Sequence, residues 1–285
     1  MTRLRKSDSP VGGLLLCLTV IFLLQGCRSA RDVEKGERRV RVAGIILKWV
    51  RADKETNYRR VEPMIREAAA HGARIICTTE CFLDGYAVAD KNIPLADYRG
   101  LGEAIPAGKY FRRLASLAKE LNIHLIAGMT EASGDARYNT AVLIGPDGRL
   151  LGKYRKQELG HEIGRNTPGQ SSPVFPTSYG RIGIMICADR TRPDVVKSLC
   201  TAGADFLICP SGGMFGPKSN DPIVQSRSLE NRIHIVFVHP AEFLVTDPQG
   251  SVVVREILGD GLLRSTNGAE TAELDRVFYY DLDLP

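Results

Sequence analysis

The stretch Arg181–Asp194, RIGIMICADRTRPD, constrains this chain more than any other. Its isoleucine-rich run, Ile182 to Ile186, ends abruptly at Cys187, and Asp189, Arg190, Arg192, Pro193 and Asp194 follow. A run that short reads as a buried strand rather than a helix. Pro193 suits the first position of a following helix, where its missing N–H costs nothing, and Asp194 suits the positive helix N-terminus. A cysteine therefore stands at a strand end, in the turn before a helix. That position, with arginines close by, favours thiolate. Taken alone, Cys187 reads first as a small buried core residue, because free cysteine is among the most buried residue types.

The rest of the chain supplies the context. Val40–Leu47 reads as the first buried strand, and Ala73–Thr79 as a second that delivers Glu80 at its end. Asn57–His71 has helical spacing and stops at Gly72, with Pro63 expected to kink or delay it. Tyr110–Leu121 and Ile223–Arg232 read as further helices. Ile123–Thr130, Thr140–Ile144, Arg149–Tyr154, Asp205–Cys209, Ile233–Val238, Val252–Ile257 and Arg276–Leu282 read as strands. Pro146-Asp147-Gly148 and Asp247-Pro248-Gln249-Gly250 are turn sequences that join neighbouring strands. Strands alternating with helices, with antiparallel pairs among them, point to a layered α/β sandwich with mixed sheets. At 285 residues and 44% hydrophobic, the chain can bury one large domain of this kind. The net charge of +5 comes from scattered basic residues, which excludes the clustered footprint of nucleic-acid binding. The five histidines are dispersed and show no metal-ligand spacing.

The N-terminus has its own organisation. Arg3, Arg5 and Lys6 precede the apolar stretch Val11–Leu24, which is short for a membrane span and fits a signal-peptide core. It runs into Leu24-Gln25-Gly26-Cys27, which resembles the lipobox of bacterial lipoproteins. The resemblance implies cleavage before Cys27 and lipidation of its thiol; an uncleaved anchor or a chance cysteine is the alternative. The expected organisation is a signal peptide at 1–26, a lipidated tether at 27–39 and a folded domain at 40–285. The lipid would hold the domain at the cell envelope, on the periplasmic face of an outer membrane or the outer face of a plasma membrane.

Glu80, in Glu80-Cys81-Phe82-Leu83-Asp84-Gly85-Tyr86, and Lys156, in Gly152-Lys153-Tyr154-Arg155-Lys156, join Cys187 as groups at separate strand ends. Each alone is ordinary. Their combined spacing resembles the nitrilase superfamily of carbon–nitrogen hydrolases. Tyr138-Asn139-Thr140-Ala141, Glu162 ahead of Pro168-Gly169, Arg227 with Glu230 and Asn231, and the Asp247–Gly250 turn extend the likeness from about Val40 to the C-terminus. The resemblance implies an αββα sandwich that pairs into a homodimer or higher assembly. It implies a Glu–Lys–Cys triad and neither a metal nor an organic cofactor. Cys187 would be the nucleophile and Glu80 the general base and acid. Lys156 would stabilise the oxyanion with the Ala188 backbone N–H as second donor. Glu162 would orient the lysine and substrate, or serve as a structural ion pair.

The implied reaction is hydrolysis of a small linear amide or N-carbamoyl compound through a thioester. Acyl transfer to an amine and a non-catalytic binding module are the alternatives. Ala188, Thr191, Glu158, the segment Pro210–Phe215 and the short link His239–Phe243 depart from the family pattern at expected pocket positions. Gly212 and Gly213 would leave room there.

Overall fold

Both faces of the first strand are apolar, so it must be covered on both sides. The computed structural model describes residues 38–213, 215–258 and 275–284, and these fall in one compact unit. The lipobox, Cys27 and nearly all of the 27–39 tether lie outside the described residues. Among the described residues no helix is long and apolar enough to cross a membrane.

The first part of the chain builds β1 (Arg38–Ile46), α1 (Lys54–Ala70), β2 (Ile75–Cys77), α2 (Leu95–Gly100), β3 (Glu103–Ala104), α3 (Lys109–Leu121), β4 (His124–Ser133), β5 (Ala136–Ile144) and β6 (Leu150–Arg155). The second builds β7 (Val174–Thr177), β8 (Gly180–Ile184), α4 (Pro193–Thr201), β9 (Phe206–Pro210), α5 (Pro217–Asn231), β10 (His234–His239), β11 (Glu242–Thr246) and β12 (Val252–Ile257). A last strand, β13 (Arg276–Leu284), returns to the first sheet and pairs antiparallel with β1. The sheet orders are β13-β1-β2-β4-β5-β6, with β3 beside β4, and β12-β11-β10-β9-β8-β7.

Side chains alternate across a strand, and the alternation sorts the core into layers. Val40, Val42 and Ile46 of β1 meet Val236 and Val238 of β10 between the sheets. Ala43 and Ile45 face Val61, Ile65 and Leu114 of α1 and α3. Ile235 and Phe237 face Val196, Leu199 and Val224 of α4 and α5. The result is the expected αββα sandwich with two mixed sheets. Two glycines set the close approach of those sheets. A Cβ on Gly44 would lie 2.4 Å from Phe243 Cδ2, and one on Gly152 would lie 2.1 Å from Phe175 Cε1.

Several boundaries differ from the sequence expectation. α1 starts at Lys54, three residues early, because the Asp53 carboxylate caps it through Thr56 N at 2.9 Å. Pro63 neither delays nor ends it. The buried face of Tyr58, Val61, Ile65 and Ala68 carries the helix past the lost hydrogen bond. α5 starts at Pro217 rather than Ile223 and contains Pro222. The segment His239–Phe243, read as a link, is a two-residue turn between β10 and β11, with His239 opposite Glu242.

β2 and β4 run parallel, and β6 shares their direction through antiparallel β5; β8, β9 and β10 are likewise parallel. The residues just beyond β2 and β6 therefore share one end of the first sheet. Those beyond β8 and β9 share one end of the second.

Candidate active site

Glu80 lies three residues beyond β2, Lys156 immediately beyond β6 and Cys187 three residues beyond β8. Backbone hydrogen bonds fix the loops to one another. Lys156 N donates to Asn139 O at 2.9 Å, and Glu80 N crosses to Ser211 O, beyond β9, at 3.1 Å. The Asp189 carboxylate ties the lysine loop to the cysteine turn. It accepts from Ile186 N at 2.9 Å, Gln157 N at 3.1 Å, Glu158 N at 2.8 Å and Tyr154 Oη at 2.8 Å. Burial pushes Asp189 up to about 6, against the pull of these donors.

Lys156 Nζ stands 2.7 Å from Glu80 Oε1 and 2.5 Å from Glu162 Oε1. Asn139 Nδ2 reaches the same two carboxylates, at 2.7 Å and 3.1 Å. Glu80, Lys156 and Glu162 are all 1% exposed or less. Burial disfavours the ammonium, but the facing carboxylates of Glu80 and Glu162 outweigh it and carry the Lys156 pKa well above the ordinary lysine value. Glu162 thus forms an ion pair with Lys156 and shares Asn139 with Glu80. Glu80 Oε2 is buried without a hydrogen-bond partner among the described residues.

Gly212 joins this cluster to the cysteine. Its carbonyl accepts from Cys187 Sγ at 3.5 Å, and a Cβ on it would lie 2.9 Å from Glu80 Oε2. The glycine therefore makes room for Glu80 rather than opening extra space. Cys187 sits at φ +46°, a left-handed conformation that costs about 1–3 kcal/mol and aims the side chain out of the strand direction. Ala188 follows in the same short turn, Cys187–Thr191.

The thiol does not behave as its sequence position suggests. Burial pushes its pKa up, Glu80 adds to the rise, and Lys156 and Arg190 oppose it. The helix does start at Pro193 as expected, but the fold buries the thiol and sets Glu80 against it, and these outweigh the cations. Two other expected pocket positions also lie elsewhere. Thr191 is exposed, and Glu158 pairs with Arg192 at the surface. Instead, Trp49 packs on Tyr86 with ring centroids 5.5 Å apart, and Tyr86 Oη meets His161 Nε2 at 3.4 Å. Trp49 Cη2 lies 3.3 Å from where a Gly212 Cβ would be, and Tyr86 Oη 3.8 Å from where a Gly213 Cβ would be. Nothing in the sequence signals Trp49 or His161. Asn139 has a signal, since it lies inside the quoted Tyr138–Ala141 segment. Among the described residues, the five cysteines at 77, 81, 187, 200 and 209 are unpaired.

The arrangement offers a nucleophile, a carboxylate with one free oxygen and a cation held between two carboxylates. Comparison with known proteins places the chain in a family. The carbon-nitrogen hydrolase family model matches residues 39–263. Human omega-amidase NIT2 is 34% identical over 203 residues, covering 66% of this chain and 70% of that protein. The mouse omega-amidase NIT2 is 30% identical over 257 residues, covering 81% and 84%. A nitrilase from Pyrococcus abyssi is 31% identical, covering 69% and 73%. Among solved structures, Saccharomyces cerevisiae Nit3 superposes with a TM-score of 0.73 at 25% identity, covering 86% of this chain and 90% of that one. An amidase from Nesterenkonia shares the fold, with a TM-score of 0.70 at 19% identity over 90% and 94%. The chain belongs to the carbon–nitrogen hydrolase family of the nitrilase superfamily, as an amidase-like hydrolase.

Proposed function

We propose that this protein hydrolyses a small linear amide or N-carbamoyl compound through a Cys187 thioester, with Glu80 and Lys156 completing the triad. One observation carries the reading: Lys156 occupies Glu80 Oε1 and leaves Oε2 free beside Gly212, whose carbonyl holds the thiol. A raised thiol pKa means the resting nucleophile is protonated. Its proton therefore leaves as Sγ attacks the amide carbon, and Glu80 is the base that receives it. The C–S bond forms, the carbonyl oxygen becomes an oxyanion, and Lys156 with the Ala188 N–H stabilises it. Glu80 then protonates the nitrogen, the C–N bond breaks, and ammonia or an amine departs. Water, deprotonated by Glu80, attacks the thioester and releases the acid and the thiol. Glu162 holds Lys156 in place throughout.

The omega-amidase relatives favour an amide over a nitrile as substrate. The test uses the full chain and Cys187→Ala with a panel of small amides, carbamoyl compounds and nitriles. Ammonia is measured in solution, and intact mass is measured for an acyl adduct. Ammonia and an adduct in the wild type alone support the reading. Turnover that requires an added amine points to acyl transfer, and silence across the panel points to a binding module.

The same reading puts the domain at the cell envelope through a lipid on Cys27, on the strength of Leu24-Gln25-Gly26-Cys27. Metabolic palmitate labelling should vanish in Cys27→Ser. Assembly as a homodimer or larger is checked by light scattering.

A further inference from the structure

Arg190 lies three residues after Cys187 in the same turn, yet its side chain points inward and is only 3% exposed. A buried guanidinium needs compensation for its charge. Its Nη2 donates to Asn220 Oδ1 at 2.6 Å, and its Nη1 donates to Cys187 Sγ at 3.6 Å. Its Nε has no partner among the described residues. Asn220 is itself held by donation to Phe215 O at 2.8 Å, and the guanidinium lies 5.5 Å from the Phe237 ring centroid. Of the groups that accept a hydrogen bond from Arg190, only the Cys187 sulfur can become an anion.

The charges around the thiol explain why such a partner is needed. Glu80 faces it from beyond β2, Lys156 from beyond β6 and Ser211 from beyond β9; Tyr86 and Cys209 also feel its charge. Lys156 is already shared by Glu80 and Glu162, so that cluster is net negative while both carboxylates are ionised. It cannot by itself hold a second anion. The Gly212 carbonyl, which accepts a hydrogen bond from the thiol, repels a thiolate. Arg190 donates to no carboxylate among the described residues; the Glu242 carboxyl and the His239 ring also face it, and burial biases both toward their neutral forms.

The geometry points to Arg190 as the counter-ion of the Cys187 thiolate, a catalytic residue that Asn220 positions from α5. The assignment rests on Cys187 being the nucleophile proposed above. A charge-assisted hydrogen bond of this kind strengthens as the sulfur ionises. When Glu80 takes the thiol proton, the lysine cluster becomes neutral, and Arg190, in hydrogen-bond contact with the sulfur, joins Lys156 in facing the new anion. Arg190 thus lowers the barrier to proton transfer and to attack.

The experiment measures iodoacetamide alkylation of Cys187 against pH in the full chain, read by mass on the Cys187 peptide. Arg190→Met should raise the midpoint by about one pH unit and slow alkylation about ten-fold at pH 7. Arg190→Lys and Asn220→Ala should give smaller rises. Arg192→Met, which alters only a surface pair with Glu158 and Asp194, should match the wild type. Unfolding by heat establishes which variants are native. If Arg190→Met does not fold, Arg190→Lys and Asn220→Ala decide. Wild-type midpoints in the native variants overturn the assignment. The readout is thiol ionisation rather than turnover, so it stands apart from the functional reading. A Cys187→Ala chain that still released ammonia would sink that reading alone.

Discussion

Lys156, Glu80 and Glu162 come from loops of the first sheet, Asn139 from β5, and they bond directly to one another. Cys187, Arg190, His239 and Glu242 come from the second sheet and are far less satisfied. His239 Nε2, Arg190 Nε and both Glu242 carboxylate oxygens are buried without partners among the described residues. A closed network of charges fixes an electrostatic field before substrate arrives. Buried polar atoms left open sit where a group changes charge or contact, as an attacking thiol must. The first half is tied together by its own charges, with Glu80 Oε2 the oxygen left open for proton transfer, whereas the second half has few internal partners.

The sharpest way to break this contrast is Lys156→Met. It leaves two buried carboxylates facing each other without their cation, a loss of about 3–5 kcal/mol. Ammonia release should fall by about 10²–10³-fold from the lost oxyanion donor alone. Urea unfolding and turnover read the two effects separately. Wild-type stability in this variant would mean that the first half is no obligate charge cluster.

Glu80→Gln should separate the halves instead of collapsing one. Glutamine retains an oxygen for Lys156 but cannot take a proton, so turnover should drop about 10²–10⁴-fold. Glu80 also helps raise the Cys187 pKa. Removing its charge should therefore lower the thiol midpoint and speed alkylation while catalysis is lost. Alkylation and turnover falling together would instead show that the carboxylate acts on the thiol only by holding it in place.

Gly212→Ala probes the joint between the halves. The added methyl would lie 2.9 Å from Glu80 Oε2 and 3.3 Å from Trp49 Cη2. Glu80 must shift by a few tenths of an ångström, and misplacement near 1 Å in such a site costs about 100-fold in rate. A fall of about 10-fold in kcat with little change in melting temperature is expected. An unchanged kcat would show that the free Glu80 oxygen tolerates displacement.

Glu80 and Lys156 were legible because they stand just beyond strands with clear apolar patterns. β6 delivers Lys156, β2 delivers Glu80, and the Tyr138–Ala141 segment contains Asn139. Even Gly152, quoted only as a motif letter, has a reason in the Phe175 ring it would otherwise strike. In the second half Cys187 was legible at the end of β8, but its neighbours were not, because their contacts are made by tertiary packing. The sequence offers Arg190 and Arg192 alike as cations near the thiol, and only the fold, with Asn220 of α5, buries Arg190 against it. Glu242 reads as part of a link until the Pro240-Ala241 turn makes it a strand residue opposite His239. The direction of the Cys187 shift was misjudged for the same reason. Local sequence offers arginines and a nearby helix start, whereas burial and Glu80, both products of the fold, dominate.

Glu242→Gln should have the smallest effect and isolates the unsatisfied side. Burial carries the Glu242 carboxyl up to about 7, against the pull of Asn220 and Arg190. The folded protein thus holds a proton that the unfolded chain releases near the ordinary glutamate value of about 4.5. Where the folded state binds more protons, stability falls as pH rises. The loss attributable to Glu242 should begin near the unfolded pKa and be complete above about pH 7. Glutamine has no proton to lose, so the variant's urea midpoint should exceed the wild type's at pH 7.5 and approach it near pH 4.5. Parallel midpoints across that range would show that Glu242 ionises freely in the fold. Its unpaired oxygens would then be compensated by something other than a retained proton, and the contrast between the two halves would narrow to the thiol and Arg190.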